Sequence, residues 1–539
     1  MQSLASRRPF GKGFIAGLAA GAVASGVMLF LSSTFGGLSL PESFGSELTA
    51  LMPPPMFAFL HQLIGGDAKT YLFVIILIGQ CLVFAFSGAL YNRLANSQDR
   101  SLDMSHGFLL ALILWVFAGF ILLPLTGSGV FGAGLTTGFV SGMISLGIVG
   151  VVFGGVFVYC QRWLVDLRQR QESKASGSED EYDAQASRRA LLKRGVLVAG
   201  IAVVGVGVWH FITSGFGSPQ VSPSQLLQNY RGKVNPPTPN YGEFVPVQYL
   251  SPEVTPNDQY YVVSKNFTDP TVGLDEWSLK VDGLVDQPYT LSYTELLALP
   301  MQKQYESMEC VSNEVGGPYM SNALWEGTRL SNLLRKAGVR AGATKVVLYG
   351  YDNYVDSILL NKALEETTLV AVRMNGATLP DTHGYPARVL VPGIYGMKHV
   401  KWLTHIEVVN TNFQGYWQQR GWSDPAPVRL NVRIDTPIPG STIHAGNAYI
   451  GGVAFSGNKG ISEVDVSLDG GHTWQRATLK RPLSPLTWVL WELPWHAKAG
   501  DYVVTARAID LEGNVQDPHE EPTLPNGASG YHSISVTVS

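Results

Sequence analysis

The sequence predicts a chain in three parts: an N-terminal α-helical membrane bundle, an α+β domain and a C-terminal all-β sandwich. Three observations lead there. Apolar residues are concentrated in the first 216 positions, short strand-like runs alternate with helical ones between about 248 and 427, and from Val428 only strand alternation and turn signals remain. The 539 residues leave room for several units, and 46% hydrophobic with 15% charged residues fits a chain that is part membrane and part soluble. The net charge is -4, and no nucleic-acid partner is expected.

Residues 1–160 hold four charge-free apolar runs, Phe14–Leu31, Tyr71–Tyr91, Phe108–Leu125 and Leu135–Cys160; a fifth, Val196–Phe216, follows a polar interval. Each is long enough, or nearly so, to cross a hydrocarbon core of about 30 Å. A charge at the centre of such a helix costs about 2.5–3.5 kcal/mol on the insertion scale, and these runs contain none. The shorter Met56–Ile64, behind three prolines, reads as an interfacial or re-entrant piece. Arg7, Arg8 and Lys12 precede the first run, Arg93 and Arg100 lie between the second and third, and Lys and Arg crowd Arg162–Arg194. In a five-span topology all three groups fall on one side, which the positive-inside rule makes cytoplasmic. Everything after Phe216 is then outside.

The polar interval 161–194 reads as a cytoplasmic linker. It ends in Ser187-Arg188-Arg189-Ala190-Leu191-Leu192-Lys193, which resembles the twin-arginine export signal of prokaryotes, set inside the chain. Residues 195–217 form the fifth helix, retained as a signal anchor in a prokaryotic cell membrane. Repeated prolines in 218–247 forbid a helix and predict an extended tether. In 248–427, strands are expected at Trp277–Val281, Lys345–Leu348 and Ala387–Val391 and helices at Ser292–Ala298 and Arg329–Ala337, an α+β domain with a mixed sheet. In 428–539, the alternation in Val464–Leu468 and Tyr502–Arg507 around the Asp469-Gly470-Gly471 turn predicts a sandwich.

Cys310 is the one cysteine from Gln161 to Ser539, so an internal disulfide on that side is excluded and a ligand or nucleophile role is open beside that of a small buried hydrophobe. Downstream come two basic, glycine-punctuated segments, His383-Gly384-Tyr385-Pro386-Ala387-Arg388 and Gly396-Met397-Lys398-His399-Val400-Lys401-Trp402. Glycines let backbone amides approach an anion and the cations supply counter-charge. With Trp325–Leu330, Met374-Asn375-Gly376, Trp417-Gln418 and the C-terminal Ser467–Trp474, this order of motifs resembles the sulfite oxidase family of molybdopterin enzymes from roughly Tyr260 to Ser539.

That resemblance implies a sulfite-oxidase-type molybdopterin domain followed by an immunoglobulin-like domain that dimerises relatives. It makes Cys310 the sulfur ligand of a molybdenum carried by a single pterin, as a thiolate held in a cationic pocket. By the same resemblance Asn266, His383, Arg388, Lys398 and Lys401 hold the cofactor, and Asn313 orders the cysteine loop. Lys265, Glu314 and Gln414 stand where the sulfite-oxidising members have arginines and a tyrosine. A carboxylate in place of a cation repels a dianion, so reduction of an S-oxide or N-oxide is favoured and oxidation of sulfite or another small anion is the alternative. No haem is expected, because His61 and His106 fall on opposite predicted sides and His210 lies toward the outer end of the fifth run. Electrons then pass to or from a separate donor or acceptor, quinone-linked or a cytochrome protein, and a homodimer or a membrane complex is compatible with the chain. A reading of another class, a cofactor-free scaffold displayed on the membrane, is disfavoured by the retained Cys310, His383 and Arg388.

Overall fold

The computed structural model describes residues 8–51, 56, 68–95, 103–133, 138–175, 232–244, 247–266, 269–275 and 277–539. The fifth apolar run, the Arg188-Arg189 motif, most of Met56–Ile64, His61 and His210 lie outside the described residues. The chain forms two compact units, one of residues 1–45 with 72–218 and one of 46–71 with 219–539.

The first unit is helical. Its helices are α1 (Arg8–Phe35), α2 (Leu40–Leu51), α3 (Ala68–Leu94), α4 (Met104–Phe117) and α5 (Gly138–Ala175), and α4 runs on through a π turn to Leu125. Four helical stretches, Phe10–Ser32, Tyr71–Leu94, Met104–Leu125 and Gly138–Val165, are long and apolar enough to cross a membrane, and they overlap the first four runs read from the sequence. Ala16, Ala20, Ala24 and Met28, four residues apart along one stripe of α1, are fully buried, while Ile15, Phe86, Leu112 and Val140 are more than half exposed. Small residues on the buried stripe of a helix let neighbouring backbones approach closely, as lipid-embedded helix pairs do. A Cβ on Gly107 would sit 2.6 Å from the carbonyl oxygen of Gly154, so only glycine allows α4 and α5 to approach this closely. His106 Nδ1 is hydrogen-bonded to the Tyr91 hydroxyl at 2.8 Å.

The second unit contains two domains. The first is built on β1 (Leu279–Gly283), β2 (Tyr289–Leu291), β3 (Gln302–Glu309), β4 (Met320–Arg329), β5 (Lys345–Gly350), β6 (Val355–Leu359), β7 (Leu369–Met374), β8 (Ala377–Thr378), β9 (Arg388–Leu390) and β10 (Leu403–Val409). One sheet runs β2-β1-β10-β5-β6, mixed because β1 and β10 are parallel; the other runs β3-β4-β7-β8 with β9 on β7. Helix α6 (Tyr293–Leu297) starts at a capping box in which Ser292 and Glu295 satisfy each other's backbone, and α7 (Leu330–Ala337) ends at left-handed Gly338. Leu330, Leu333, Leu334 and Ala337 recur at helical spacing and bury α7 against Val346, Leu348 and Val370. Each such side chain contributes roughly 1.5–3 kcal/mol over an exposed one. The first strand begins two residues later than the sequence suggests, because Trp277 anchors the approach by donating from Nε1 to Leu403 O at 3.0 Å.

The second domain is all β: β11 (Asn431–Thr436), β12 (Thr442–Ile443), β13 (Gly446–Phe455), β14 (Ile461–Ser467), β15 (Gln475–Arg476), β16 (Thr478–Leu479), β17 (Val489–Ala497), β18 (Gly500–Asp510) and β19 (His532–Val538). Its sheets are β11-β13-β17-β16 and β12-β19-β18-β14-β15, closed on a core that includes Val464, Val466, Trp491, Val504 and Ile534. The Asp469 turn is fixed by its own carboxylate, which accepts from the amides of His472 and Thr473 at 3.1 and 2.9 Å.

Candidate active site

Cys310 directly follows β3 and is buried. Its amide donates to Tyr319 O at 3.0 Å and its carbonyl accepts from Asn313 N at 3.0 Å, so the loop to Tyr319 is pinned at both ends. The thiol lies 3.0 Å from Ser312 Oγ. Burial pushes the thiol up; Ser312 pulls it down by hydrogen bonding and the Glu309 carboxylate raises it further. Asn313 accepts from Tyr319 N at 2.9 Å through Oδ1 and donates to Glu309 Oε1 at 2.9 Å.

A row of aromatic and basic side chains leads away from the thiol. Tyr260 stacks on Tyr261 at 5.6 Å and meets Trp325 and His383 edge-on at 5.7 and 5.3 Å, and the Arg388 guanidinium lies 5.2 Å from the Trp325 ring centre. Arg388 is buried and donates from Nη1 to His383 O at 3.1 Å and from Nη2 to His399 O at 3.4 Å. His383 Nε2 is 3.0 Å from Asn257 O. Burial, with Arg388 and Lys401 nearby, holds His383 down at about 4, so near neutral pH it is an uncharged hydrogen-bonding group. Glu306, buried behind Arg388, is pushed up to about 8 by desolvation, and His399 is held down at about 3 by burial and by Arg388. Their 3.8 Å approach is therefore a contact of two neutral groups near pH 7.

The three lysines singled out by the sequence are engaged with acids. Lys265 Nζ donates to Asn266 Oδ1 and Asp352 O, both at 2.8 Å, and Asn266 Nδ2 donates to Asp352 Oδ2 at 2.8 Å. Lys401 donates to Thr382 O at 2.9 Å and lies 3.7 Å from Asp269. Lys398 is 1% exposed and spends its ammonium on Asp356 Oδ1 at 2.8 Å, Ser357 O at 2.9 Å and Asp424 Oδ1 at 3.0 Å. Burial outweighs the ammonium at Asp356 and pushes that carboxyl up. At the more open Asp424, hydrogen bonds from Lys345 and Lys398 outweigh burial and hold it down. Gly384 packs on Lys401 and Arg388, and Gly350 on Asp352 and the Lys401 carbonyl, so the Lys265 and Arg388 groups form one continuous wall. Glu314 is exposed and lines a cleft with Asn431, Arg433 and Ser529; Gln414 is half-buried and accepts from Gln419 through its carbonyl at 2.8 Å.

Two family models match this unit: an oxidoreductase molybdopterin binding domain over residues 266–417 and a Mo-co oxidoreductase dimerisation domain over 428–531. Human mitochondrial sulfite oxidase is 32% identical over 362 residues, 57% of this chain and 66% of that protein. The sulfite oxidase of Gallus gallus is 31% identical over 318 residues, 50% of this chain and 69% of that protein. The chain belongs to the sulfite oxidase family. It spans between 61% and 66% of the length of the first mammalian sulfite oxidases it matches. Among solved structures, the sulfane dehydrogenase SoxCD of Paracoccus pantotrophus aligns with a TM-score of 0.48 at 22% identity, over 60% of this chain and 90% of that one.

The side chains present fit the molybdenum cofactor of the sulfite oxidase family. Tyr260 Oη, Tyr261 Oη and Arg388 Nε are buried and have no hydrogen-bond partner among the described residues. A buried donor left unsatisfied costs about 1–3 kcal/mol. Two phenols and a guanidinium beside a thiol are what a polar, anionic pterin would satisfy. Tyr260, Tyr261, Asp352, Asp356 and Asp424 carry no motif in the sequence; the doubled tyrosine ahead of Lys265 is the one local signal that pointed toward them.

Proposed function

We propose that the chain is a membrane-anchored molybdopterin oxidoreductase that reduces a small neutral S-oxide or N-oxide. In this reading residues 248–427 bind the cofactor, with Cys310 on the metal, Asn266, His383, Arg388 and Lys401 around the pterin, and Lys398 bracing that wall from behind. Residues 428–539 form the second domain, and the apolar helices anchor the chain with the site on the outer face. The bound cofactor supplies two-electron oxygen-atom transfer. Reduction of a sulfoxide consumes two electrons and two protons and releases water; the electrons come from a separate donor, quinone-linked or a cytochrome protein.

One observation carries the preference for a neutral substrate. The thiol lies 3.0 Å from the Ser312 hydroxyl, and Lys265 and Lys401 are paired with Asp352 and Asp269. A dianion entering beside those pairs has to compete with carboxylates for each cation, whereas an uncharged S=O or N–O dipole needs only a donor. Like charges at about 4 Å cost about 4 kcal/mol at an effective dielectric of 20. The test is a steady-state comparison on the detergent-purified, cofactor-loaded protein: sulfoxides and N-oxides with a reduced dye as donor, sulfite with an oxidised one. The reading expects kcat/KM for an oxide to exceed that for sulfite; the reverse order overturns it in favour of a sulfite or small-anion oxidase.

A further inference from the structure

We propose that Asn431, on the first strand of the sandwich domain, is a positioning residue for Cys310, acting through Glu309 and Asn313; its meaning for catalysis rests on Cys310 being the metal ligand. Glu309 ends β3 and is buried, and both of its carboxylate oxygens are taken. Asn313 Nδ2 donates to Oε1 at 2.9 Å, and Asn431 Nδ2 donates to Oε2 at 2.8 Å. The same Asn313 accepts the amide of Tyr319 and donates its own amide to the carbonyl of Cys310. Asn431 thus grips the carboxylate that grips the asparagine tying the two ends of the cysteine loop together.

Two further contacts from the same domain bear on this loop. Arg433, on the same face of β11, donates to Gly317 O at 3.1 Å and is itself steered by Asp435 and Ser251. His532 accepts the Ile434 amide at Nδ1 (2.9 Å), which leaves Nε2 against Gly316. A Cβ on Gly316 would lie 2.2 Å from that nitrogen, and its φ of +74° also favours glycine. The loop Cys310–Tyr319 is almost all turn and irregular backbone up to its last residue. Backbone hydrogen bonds close it at Cys310, Asn313 and Gly317, side chains hold the rest, and the domain beyond residue 428 supplies three of those.

The test uses Cys310 as its own reporter in full-length protein purified in detergent from cells unable to make the pterin. Alkylation by iodoacetamide is followed by peptide mass spectrometry, with Cys81 and Cys160 as internal references. Asn431→Ala removes one donor from a buried carboxylate and is expected to speed alkylation of Cys310 by about tenfold or more, with the reference cysteines unchanged. Glu309→Gln sets amide against amide and is expected to do the same; adding Asn431→Asp exchanges donor and acceptor and restores the slow rate. Equal rates in wild type and Asn431→Ala overturn the proposal. So does a double variant Glu309→Gln/Asn431→Asp that reacts as fast as Glu309→Gln alone, and this second comparison decides the matter if Asn431→Ala does not fold. Molybdenum content of wild type from cofactor-making cells tests the cofactor reading by itself: its absence sinks that reading while the alkylation rates still decide the clamp.

Discussion

Arg388 and Lys398 are buried cations on neighbouring segments, and the protein treats them in opposite ways. Lys398 spends its three donors on Asp356, Ser357 and Asp424. Arg388 keeps Nε without a partner among the described residues, beside two tyrosine hydroxyls in the same condition. A buried cation satisfied by its own chain holds the fold. One left with a donor to spare, next to other spare donors, marks a surface built for something that is not protein. The sequence motifs put both residues in the same class, and the difference is visible only in their partners.

Lys398→Met gives the largest effect. It strands Asp356 as a buried carboxyl without its cation, and a loss of about 3–5 kcal/mol is expected from chemical denaturation followed by tryptophan fluorescence. A loss under about 1 kcal/mol would break the comparison at its paired end. Arg388→Met is the sharper half: cofactor-free protein should lose only about 1–3 kcal/mol, for the two carbonyls left without their donor, while the pterin released from protein made in cofactor-producing cells falls toward zero. Full pterin retention in Arg388→Met would break the other end.

A smaller effect tests Glu306, the acid behind Arg388. Its folded pKa of about 8 lies above the ordinary 4.5, so the folded state holds its proton more tightly. That stability is fully present below about 4.5 and is lost as pH rises through about 8. Glu306→Gln should flatten the alkaline limb of a plot of melting temperature against pH. His383 and His399 act with the opposite sign: held at about 4 and about 3 against 6.5, they contribute stability above 6.5 that is lost as pH falls through those values, and that acid limb should survive in Glu306→Gln. The smallest change is expected from Lys265→Met. Its ammonium is 3.7 Å from the Asp352 carboxylate, which keeps the Asn266 amide as a donor, and about 1 kcal/mol should be lost.

Elements that depend on local pattern were legible in the sequence. The first four apolar runs became helices, Ser292–Ala298 became Tyr293–Leu297, and Arg329–Ala337 became Leu330–Ala337, because capping residues and hydrophobic period act over a few positions. Cys310 stood out as the one cysteine after Gln161, and His383 and Arg388 as members of a glycine-punctuated basic segment. Their chemistry could not. Asp269, Asp352, Asp356 and Asp424 are scattered along the chain and meet the lysines only after folding. A basic segment that reads as an anion cradle is for this reason largely neutralised from within. Asn431 carries no signal at all, since its partner lies 122 positions earlier in another domain.

Metal and pterin analysis of the detergent-purified protein, wild type beside Cys310→Ser, tests the central claim most directly. The account predicts close to one molybdenum and one pterin per wild-type chain, and one sulfur fewer around the metal in Cys310→Ser by X-ray absorption. Neither molybdenum nor pterin in wild type from cells that make the cofactor would contradict it.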